Sequence, residues 1–452
     1  MSTNFIPTDR NTLFLLPPSV DDWVPEGHMA RFVVDIVDQL DLRKISGAYG
    51  GRGSKAYHPR TMLALIFYGY ATGVFSSRKI ERATWDSVAF RFIAANQHPD
   101  HATIANFRRR FLKHLKPLFM QILLIAKEMG LLELGKVSLD GTKVKANASK
   151  HRALSWGHAE KLERQLKKEV TALLDKAEVT DLADIPDGMD LPAEIARRKD
   201  RLAAITRAKA TIAQRAEERY TEEKEEHDCK MAEREKQEEQ TGKKPRGPKP
   251  KPPQPGPGQS DQVNLTDEES RIMPKSGGGF EQAYNAQAGV DTETMLVVAN
   301  HVSQAPNDKR ELIPALNNLA VLPKELGRVD SLLADSGYFS TNNVTYCNGK
   351  EITPYIAHKR EQHNQSLWER FCEPEPLPKE SNAVETMKHR LKTKVGREIY
   401  GRRKSTVEPV FGIIKSVMGF RQFMLRGLES VSGEWDLVCI AWNLKRLHVL
   451  GA

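Results

Sequence analysis

Residues 282–302 read QAYNAQAGVDTETMLVVANHV, and this stretch decides the class of fold. Two runs of strand-forming residues flank the turn-forming letters DTET, which predicts a pair of antiparallel strands. The apolar runs at 332–337 and 352–357 predict two more strands, and leucines at helical spacing from 312 to 319 predict a helix before them. With an earlier strand over 135–143, this order predicts an α/β fold with a mixed central sheet.

The first 130 residues have the pattern of a helical domain. Apolar residues recur at helical spacing after His58-Pro59, and Asp100 stands where a helix N-cap is expected. The helix after Asp100 carries Arg108, Arg109 and Arg110. Successive short helices with an arginine-rich last helix are typical of helix-turn-helix proteins, so we predict that these arginines contact DNA. A plain helical bundle is the alternative.

A charged segment interrupts the α/β pattern. Residues 151–240 combine apolar residues at near-heptad spacing, among them Ile205 and Ile212, with dense Glu, Lys and Arg, which predicts a helical hairpin. Residues 241–274 begin with a run of Pro, Gly and Lys and are predicted to be an extended, disordered linker. The hairpin could reach DNA, dimerise through its heptad-like seam or only decorate the fold.

These patterns predict a chain of four parts. The parts are a helical domain at 1–130, an α/β domain made of residues 131–150 and 275–452, the helical insertion at 151–240 and the linker at 241–274.

The composition predicts a soluble, basic protein. The chain has 452 residues and a formal net charge of +9, and basic residues clearly outnumber acidic ones over 388–452. A focused basic surface suits a polyanion such as nucleic acid, because each neutralised phosphate releases counterions. A basic surface that only keeps the protein soluble is the alternative.

The same composition excludes several classes of protein. No run of 18 apolar residues and no charged-then-apolar leader occurs, so we expect an intracellular protein without a membrane segment. The four cysteines lie far apart with no CxxC pair, which argues against a zinc finger and a disulfide framework.

Two aspartates stand where chemistry is expected. Asp140 alternates with the apolar Val137 and Leu139 on a predicted strand, where an acid is costly unless it is paired or binds a cation. Asp335 ends an apolar strand, at the carboxyl edge of the predicted sheet. A turn or capping role is the ordinary alternative for each aspartate.

A third acid, Glu408, lies on a later predicted helix and shares a stripe of that helix with Lys415. A capping box with Ser405 is the structural alternative for Glu408. Two strand-borne aspartates and this glutamate could converge on two divalent cations, because Mg²⁺ prefers carboxylate oxygens. Two such ions can promote phosphoryl transfer, and Lys415 could then hold a DNA phosphate.

At these residues the chain resembles a bacterial insertion-sequence DDE transposase, nearly from end to end. The motifs that carry the resemblance are YHP at 57–59, TIANFR at 103–108, LDGT at 139–142, YNAQ at 284–287, ADSGY at 334–338, RG at 426–427 and WNLKRL at 442–447. The family's last motif contains a tyrosine, an arginine, a glutamate and a lysine in that order. Two residues separate the tyrosine from the arginine, three separate the arginine from the glutamate, and six separate the glutamate from the lysine.

Tyr400, Arg403, Glu408 and Lys415 fit that last motif with one departure. Four residues separate Arg403 from Glu408, and Lys404 takes the three-residue position instead. The role of the motif arginine therefore stays open between Arg403 and Lys404.

The resemblance implies a ribonuclease-H-like catalytic domain in which Asp140, Asp335 and Glu408 bind two Mg²⁺ or Mn²⁺ ions. It implies binding of terminal inverted repeats, cleavage at the element's ends and joining of 3′-hydroxyls to target DNA. The last motif and the arginines at 108–110 are then expected at DNA. A homodimer or higher homo-oligomer is expected, at the nucleoid of the bacterial cytoplasm.

Two other functions stay open at this point. A non-catalytic DNA-binding protein, such as an element remnant or a recruited regulator, would be favoured by loss of a triad acid, but all three acids are present. A metal-dependent nuclease would share the chemistry and differ only in its nucleophile, water in place of a DNA 3′-hydroxyl.

Overall fold

The structure is a computed structural model that describes residues 19–49, 56–149, 152–180, 191–242, 247–275, 278–358, 373–378 and 381–451. Its chain folds into two compact units. The first unit joins Met1–Ala146 to Ala283–Ala452, and the second is Asn147–Gln282. The N-terminal helices and the α/β residues therefore belong to one unit, which the second unit interrupts in sequence.

The N-terminal part of the first unit is helical, as predicted. Its helices are α1 (Met29–Gln39), α2 (Arg43–Ser46), α3 (Pro59–Ala71), α4 (Ser77–Asp86), α5 (Val88–Ile93), α6 (His101–Phe111) and α7 (Leu115–Glu128). The ring nitrogen Nδ1 of His58 caps α3 by accepting from the backbone N–H of Arg60. The carboxylate of Asp100 caps α6 by accepting from two backbone N–H groups of its first turn. Such caps satisfy donors that the helix itself leaves free.

A mixed sheet follows the helices. Its strands are β1 (Leu134–Lys145), β2 (Phe280–Asp291), β3 (Val297–Ser303), β4 (Gly327–Ala334) and β5 (Thr353–Ile356). They lie in the order β3–β2–β1–β4–β5, and a short sixth strand, Arg271–Pro274, also pairs with β2. β1, β2 and β3 are antiparallel neighbours, whereas β4 runs parallel to β1 and β5 runs parallel to β4. This sheet confirms the predicted α/β fold and is consistent with a ribonuclease-H-like domain.

Helices connect and cover the strands. They are α8 (Leu312–Ala320), α9 (Thr341–Gly349), α10 (Ala383–Lys392), α11 (Lys394–Gly401), α12 (Val407–Ser416) and α13 (Leu428–Leu450), with 3₁₀ turns at Leu112–His114, Lys324–Leu326, Ser336–Tyr338 and Arg402–Ser405.

The long C-terminal helix α13 is fastened to the sheet by polar side chains. The amide of Asn443 accepts from the N–H of Val297 and donates to its carbonyl, both at 2.8 Å. The indole of Trp435, which is fully buried, donates to the carbonyl of Gln287 at 2.9 Å. These bonds give the buried polar groups of Asn443 and Trp435 partners on the backbone of the sheet.

The second unit is dominated by two helices, Trp156–Thr180 and Leu191–Thr241. They agree with the predicted hairpin and share one apolar core, and Ile205 and Ile212 of the heptad-like seam are buried in it. The seam is therefore covered by the unit's own residues. Short strands lie at Ala153–Ser155, Gln262–Asn264 and Arg271–Pro274. The last two fall where the sequence predicts a disordered linker, and there the prediction is wrong.

No helix in the described ranges is long and apolar enough to span a bilayer. Cys229, Cys347 and Cys439 are free thiols, and Cys372 lies outside the described residues.

Candidate active site

Strands β1 and β4 bring the two predicted aspartates together. Leu139 of β1 pairs in parallel with Ala334 of β4, so the residues that follow, Asp140 and Asp335, lie side by side at the same edge. Asp335 also caps the next 3₁₀ turn, because its Oδ1 accepts from the N–H of Gly337 at 2.8 Å. The turn role that the sequence allowed for Asp335 is thus present, and it fixes the carboxylate at the sheet edge.

Glu408 lies in the first turn of α12, and 47% of its side chain is exposed. The alternative capping box is absent here. The N-cap of α12 is Thr406, and the hydroxyl of Ser405 donates to the carbonyl of Arg402 at 3.0 Å. The carboxylate of Glu408 is therefore available to groups outside its own helix.

Arg403 links the third acid to the first. Its Nη2 donates to Oε1 of Glu408 at 2.8 Å and its Nη1 to Oδ2 of Asp140 at 3.3 Å. Only 11% of the Arg403 side chain is exposed, and its buried Nε has no hydrogen-bond partner among the described residues. Lys404, the other candidate for the motif arginine, is exposed. It is thus the guanidinium of Arg403 that lies between the two acids.

The clustered acids of the site favour binding of a positively charged group. Burial raises the pKa of Asp140 to about 6, the charge of Arg403 opposes that rise, and the nearby Asp335 and Asp308 add to it. A carboxyl group that is desolvated beside other acids ionises readily only when a cation compensates it.

The donor set fits hard divalent cations, since all three candidate ligands are carboxylates. A guanidinium already occupies the space between two of them, which shows that Asp140 and Glu408 converge on one positive group. Within the described residues no three acids, histidines or cysteines are spaced to hold a single metal ion.

The remaining residues of the last motif lie around this centre. The ammonium of Lys415 donates to the carbonyl of Lys143 at 2.8 Å, which ties α12 to β1. Tyr400 is half-buried near the end of α11. Phosphate contacts by these residues stay predictions.

The three arginines of α6 differ in their surroundings. Nη1 of Arg108 donates to the hydroxyl of Tyr70 and to the carbonyl of Phe75, both at 3.0 Å, which gives Arg108 a structural role inside the unit. Arg110 donates to the carbonyl of Ala48, and Arg109 is exposed. DNA contact by these arginines stays a prediction, and Arg109 and Arg110 are the two that are exposed.

A polar cluster beside the aspartates is absent from the sequence-based candidates. Asn285, Gln287 and Asp308 are joined by hydrogen bonds of 2.7–3.1 Å, and Lys143 lies 3.5 Å from Asp308. The sequence signal for it is the pair of amides at alternate positions of the buried strand β2, within the YNAQ motif.

Comparison with known families adds a separate line of support. The family model described as a transposase DDE domain matches residues 250–444, which include Asp335, Arg403 and Glu408. The model described as a transposase domain, DUF772, matches residues 18–110, which include α1 to α5 and most of α6. Asp140 lies between the two matched regions. No curated protein and no solved structure matches the chain.

Proposed function

The chain belongs to the insertion-sequence DDE transposases, and on that premise we propose that it binds the terminal inverted repeats of its element, cleaves at the element's ends and joins the 3′-hydroxyls to target DNA. DDE transposases act on DNA and generally depend on divalent metal ions. We place the activity at the nucleoid, in the bacterial cytoplasm.

One observation carries the proposal. The parallel pairing of Leu139 with Ala334 sets Asp140 beside Asp335, and Arg403 connects Asp140 to Glu408 from a helix far along the chain. Three acids from three separate elements thus gather at one edge of the sheet. Carboxylates are costly to concentrate in this way unless a cation compensates them.

Asp140, Asp335 and Glu408 would hold two Mg²⁺ or Mn²⁺ ions. When bound, such a pair supplies activation of the attacking oxygen and stabilisation of the leaving 3′ oxygen. The protein's own contribution is to fix the carboxylates: Asp140 by its strand, Asp335 by the turn that it caps and Glu408 by the first turn of α12. In the active complex Arg403 turns from the carboxylates to a DNA phosphate, a partner that guanidinium groups bind well.

The DNA would lie over the basic residues near the site. Lys404 is exposed beside Arg403. Tyr400 lies on α11 and Lys415 on α12, the helices before and after Arg403 in the chain. Arg109 and Arg110 of α6 would contact the terminal repeat. Because an element has two ends, we propose that at least two copies of the chain act together, as a homodimer or a higher homo-oligomer.

The test is strand cleavage and joining on DNA that carries the element's own ends, with Mg²⁺ or Mn²⁺. Wild type is compared with Asp335→Asn, which keeps the shape of the side chain and removes its charge. Asp330→Asn, at an exposed position of the same strand, is the matched control. We expect Asp335→Asn to bind end DNA like wild type and to lose cleavage and joining at least a thousandfold, with the control unaffected.

Each other outcome has a definite meaning. Cleavage by wild type without joined products would identify a nuclease. Tight end binding without cleavage by any of the three proteins would identify a non-catalytic DNA-binding protein. Full activity of Asp335→Asn would remove Asp335 from the triad.

A further inference from the structure

The YNAQ motif places two amides in the most buried strand of the sheet. Asn285 and Gln287 are two residues apart on β2, so their side chains lie on the same face, and both are fully buried. A buried amide is unfavourable unless its donors and acceptors are paired. The partners of these two amides therefore show what the motif is for.

Both amides converge on one carboxylate. Oδ1 of Asp308 accepts from Nδ2 of Asn285 and from Nε2 of Gln287, each at 2.7 Å, and Gln287 also donates to Oδ1 of Asn285 at 3.1 Å. Lys143 of β1 lies 3.5 Å from the same oxygen of Asp308. Asp308 is in the loop between β3 and α8, so the cluster holds this loop on the face of β2.

The other end of Gln287 reaches the turn that carries Asp335. The buried hydroxyl of Tyr338 donates to Oε1 of Gln287. Tyr338 closes the 3₁₀ turn that Asp335 caps. The side-chain amide of Asn343 then donates to the carbonyls of Tyr338 and Lys309, at 2.7 and 2.8 Å, so the turn is also tied to the loop of Asp308.

The cluster also lies directly against the strand of Asp140. A Cβ atom on Gly141 would overlap Nε2 of Gln287 and Oδ1 of Asp308. A Cβ atom on Gly337 would lie 3.0 Å from Oδ1 of Asp335 and 3.8 Å from Oδ2 of Asp308. The same few side chains thus touch the residue after Asp140 and approach the turn after Asp335.

We propose that Gln287, Asn285 and Asp308 are positioning residues that set the placement of Asp335 relative to Asp140. The chain of contacts runs from Gly141 through Gln287 to Tyr338 and the Asp335 turn. This inference rests on the proposed metal-dependent function, since the placement of the two aspartates matters through the cations that they would share. A network that only stabilises the fold is the competing explanation.

Tyr338→Phe is the cleanest test, because it removes one hydroxyl and cuts the link between the turn and Gln287. The matched control is Tyr346→Phe on α9. It also removes one tyrosine hydroxyl, which donates to Oδ1 of Asn317 at 3.0 Å and takes no part in the cluster. Mn²⁺ binding to each protein in complex with end DNA is measured by electron paramagnetic resonance, beside end-DNA affinity, unfolding by urea and DNA cleavage.

We expect Tyr338→Phe to weaken Mn²⁺ binding about tenfold or more at unchanged DNA affinity, and Tyr346→Phe to leave it unchanged. Equal Mn²⁺ affinity in Tyr338→Phe and wild type, including no binding by either, would overturn the positioning role. A loss of stability without a change in Mn²⁺ affinity would also overturn it, in favour of a purely structural network.

A replacement variant and a second outcome complete the test. If Tyr338→Phe does not fold, Gln287→Met takes its place, since it removes both the acceptor for Tyr338 and the donor to Asp308 without adding a charge; the same weakening of Mn²⁺ binding is expected. If wild type binds Mn²⁺ but neither cleaves nor joins DNA, the proposed function fails, whereas the binding comparison still decides the positioning role.

Discussion

Arg403 donates to Glu408 through a 2.8 Å hydrogen bond across five residues of chain, and the same guanidinium lies 3.3 Å from Asp140. The arginine therefore compensates the negative charge of two candidate metal ligands at once. Any divalent cation that these ligands bind has to compete with a positive charge that is already in place.

We predict that Arg403→Gln tightens Mn²⁺ binding several-fold, because it removes this competing charge from the carboxylates. The same change should weaken DNA cleavage, since the proposed phosphate contact is lost. Electron paramagnetic resonance of bound Mn²⁺ and a cleavage assay check the two parts. Lys404→Gln is the matched control and should leave Mn²⁺ binding unchanged, because Lys404 is exposed. Weaker Mn²⁺ binding by Arg403→Gln would contradict the competition.

The neighbouring arginines Arg108 and Arg109 should separate stability from DNA binding. Arg108→Met leaves the hydroxyl of Tyr70 and the carbonyl of Phe75 without their donor, so we expect a loss of about 1–3 kcal/mol in the free energy of unfolding. Urea unfolding measures this loss.

Arg109→Gln should leave stability unchanged and weaken binding to end DNA, because Arg109 is exposed. The slope of log affinity against log salt should fall by about one, as expected for the loss of one phosphate contact. An Arg109→Gln protein that binds end DNA with the wild-type affinity and salt slope would remove Arg109 from the DNA interface.

These two arginines show what a single sequence can predict here. The alternation of apolar and polar residues was enough to predict the strands around Asp140 and the helix of Arg108, because those patterns are local. Which arginine of α6 turns inward depends on Tyr70 of α3, 38 residues earlier. Helical spacing alone cannot make that choice.

The same reasoning applies to the site. The sequence predicts Asp335 just after one apolar strand and Asp140 within another, and the parallel pairing of Leu139 with Ala334 brings the two aspartates together. The contact of Arg403 with Asp140 joins residues 263 apart in the chain. The role of Asp308, which lies in a loop, depends on amides of strand β2. Neither contact leaves a local pattern. The YNAQ motif contains the two amides, Asn285 and Gln287, but does not reveal that Asp308 is their partner.

A buried acid on α13 should give stability a measurable pH dependence. Burial raises the pKa of Asp436 on α13 to about 6, although Lys116 lies 3.6 Å away and opposes the rise. Between the unfolded pKa near 4 and the folded value, the folded state holds a proton that the unfolded state has lost. The contribution of Asp436 to stability is therefore largest below about pH 4 and is lost as the pH rises through about 6.

We predict that the free energy of unfolding of wild type, relative to Asp436→Asn, falls by up to about 3 kcal/mol between pH 4 and pH 7. Urea unfolding of both proteins across this range measures the difference, and the asparagine variant removes only the titrating group. A difference that is independent of pH would show that the pKa of Asp436 is the same in the folded and unfolded states.

The helical unit should be removable without loss of the first unit's fold. Within the first unit, the pairing of β1 with β2 ends at Lys145 and Ala283, which are antiparallel partners. The two points where the chain leaves and re-enters the first unit are therefore adjacent. A short turn containing Asn-Gly is the usual connection between such strands. We therefore predict that replacing residues 147–282 by this turn gives a protein that unfolds cooperatively in urea and retains Mn²⁺ binding.

The activity of that shortened protein then decides what the insertion is for. Because Ile205 and Ile212 are already buried within the unit, we expect dimerisation through the heptad-like seam to play no part, and the oligomeric state by light scattering should equal that of wild type. Loss of end-DNA affinity in a folded, metal-binding variant would assign the insertion to DNA contact. A drop in oligomeric state would instead restore a role in self-association, through surfaces of the helices other than the buried seam.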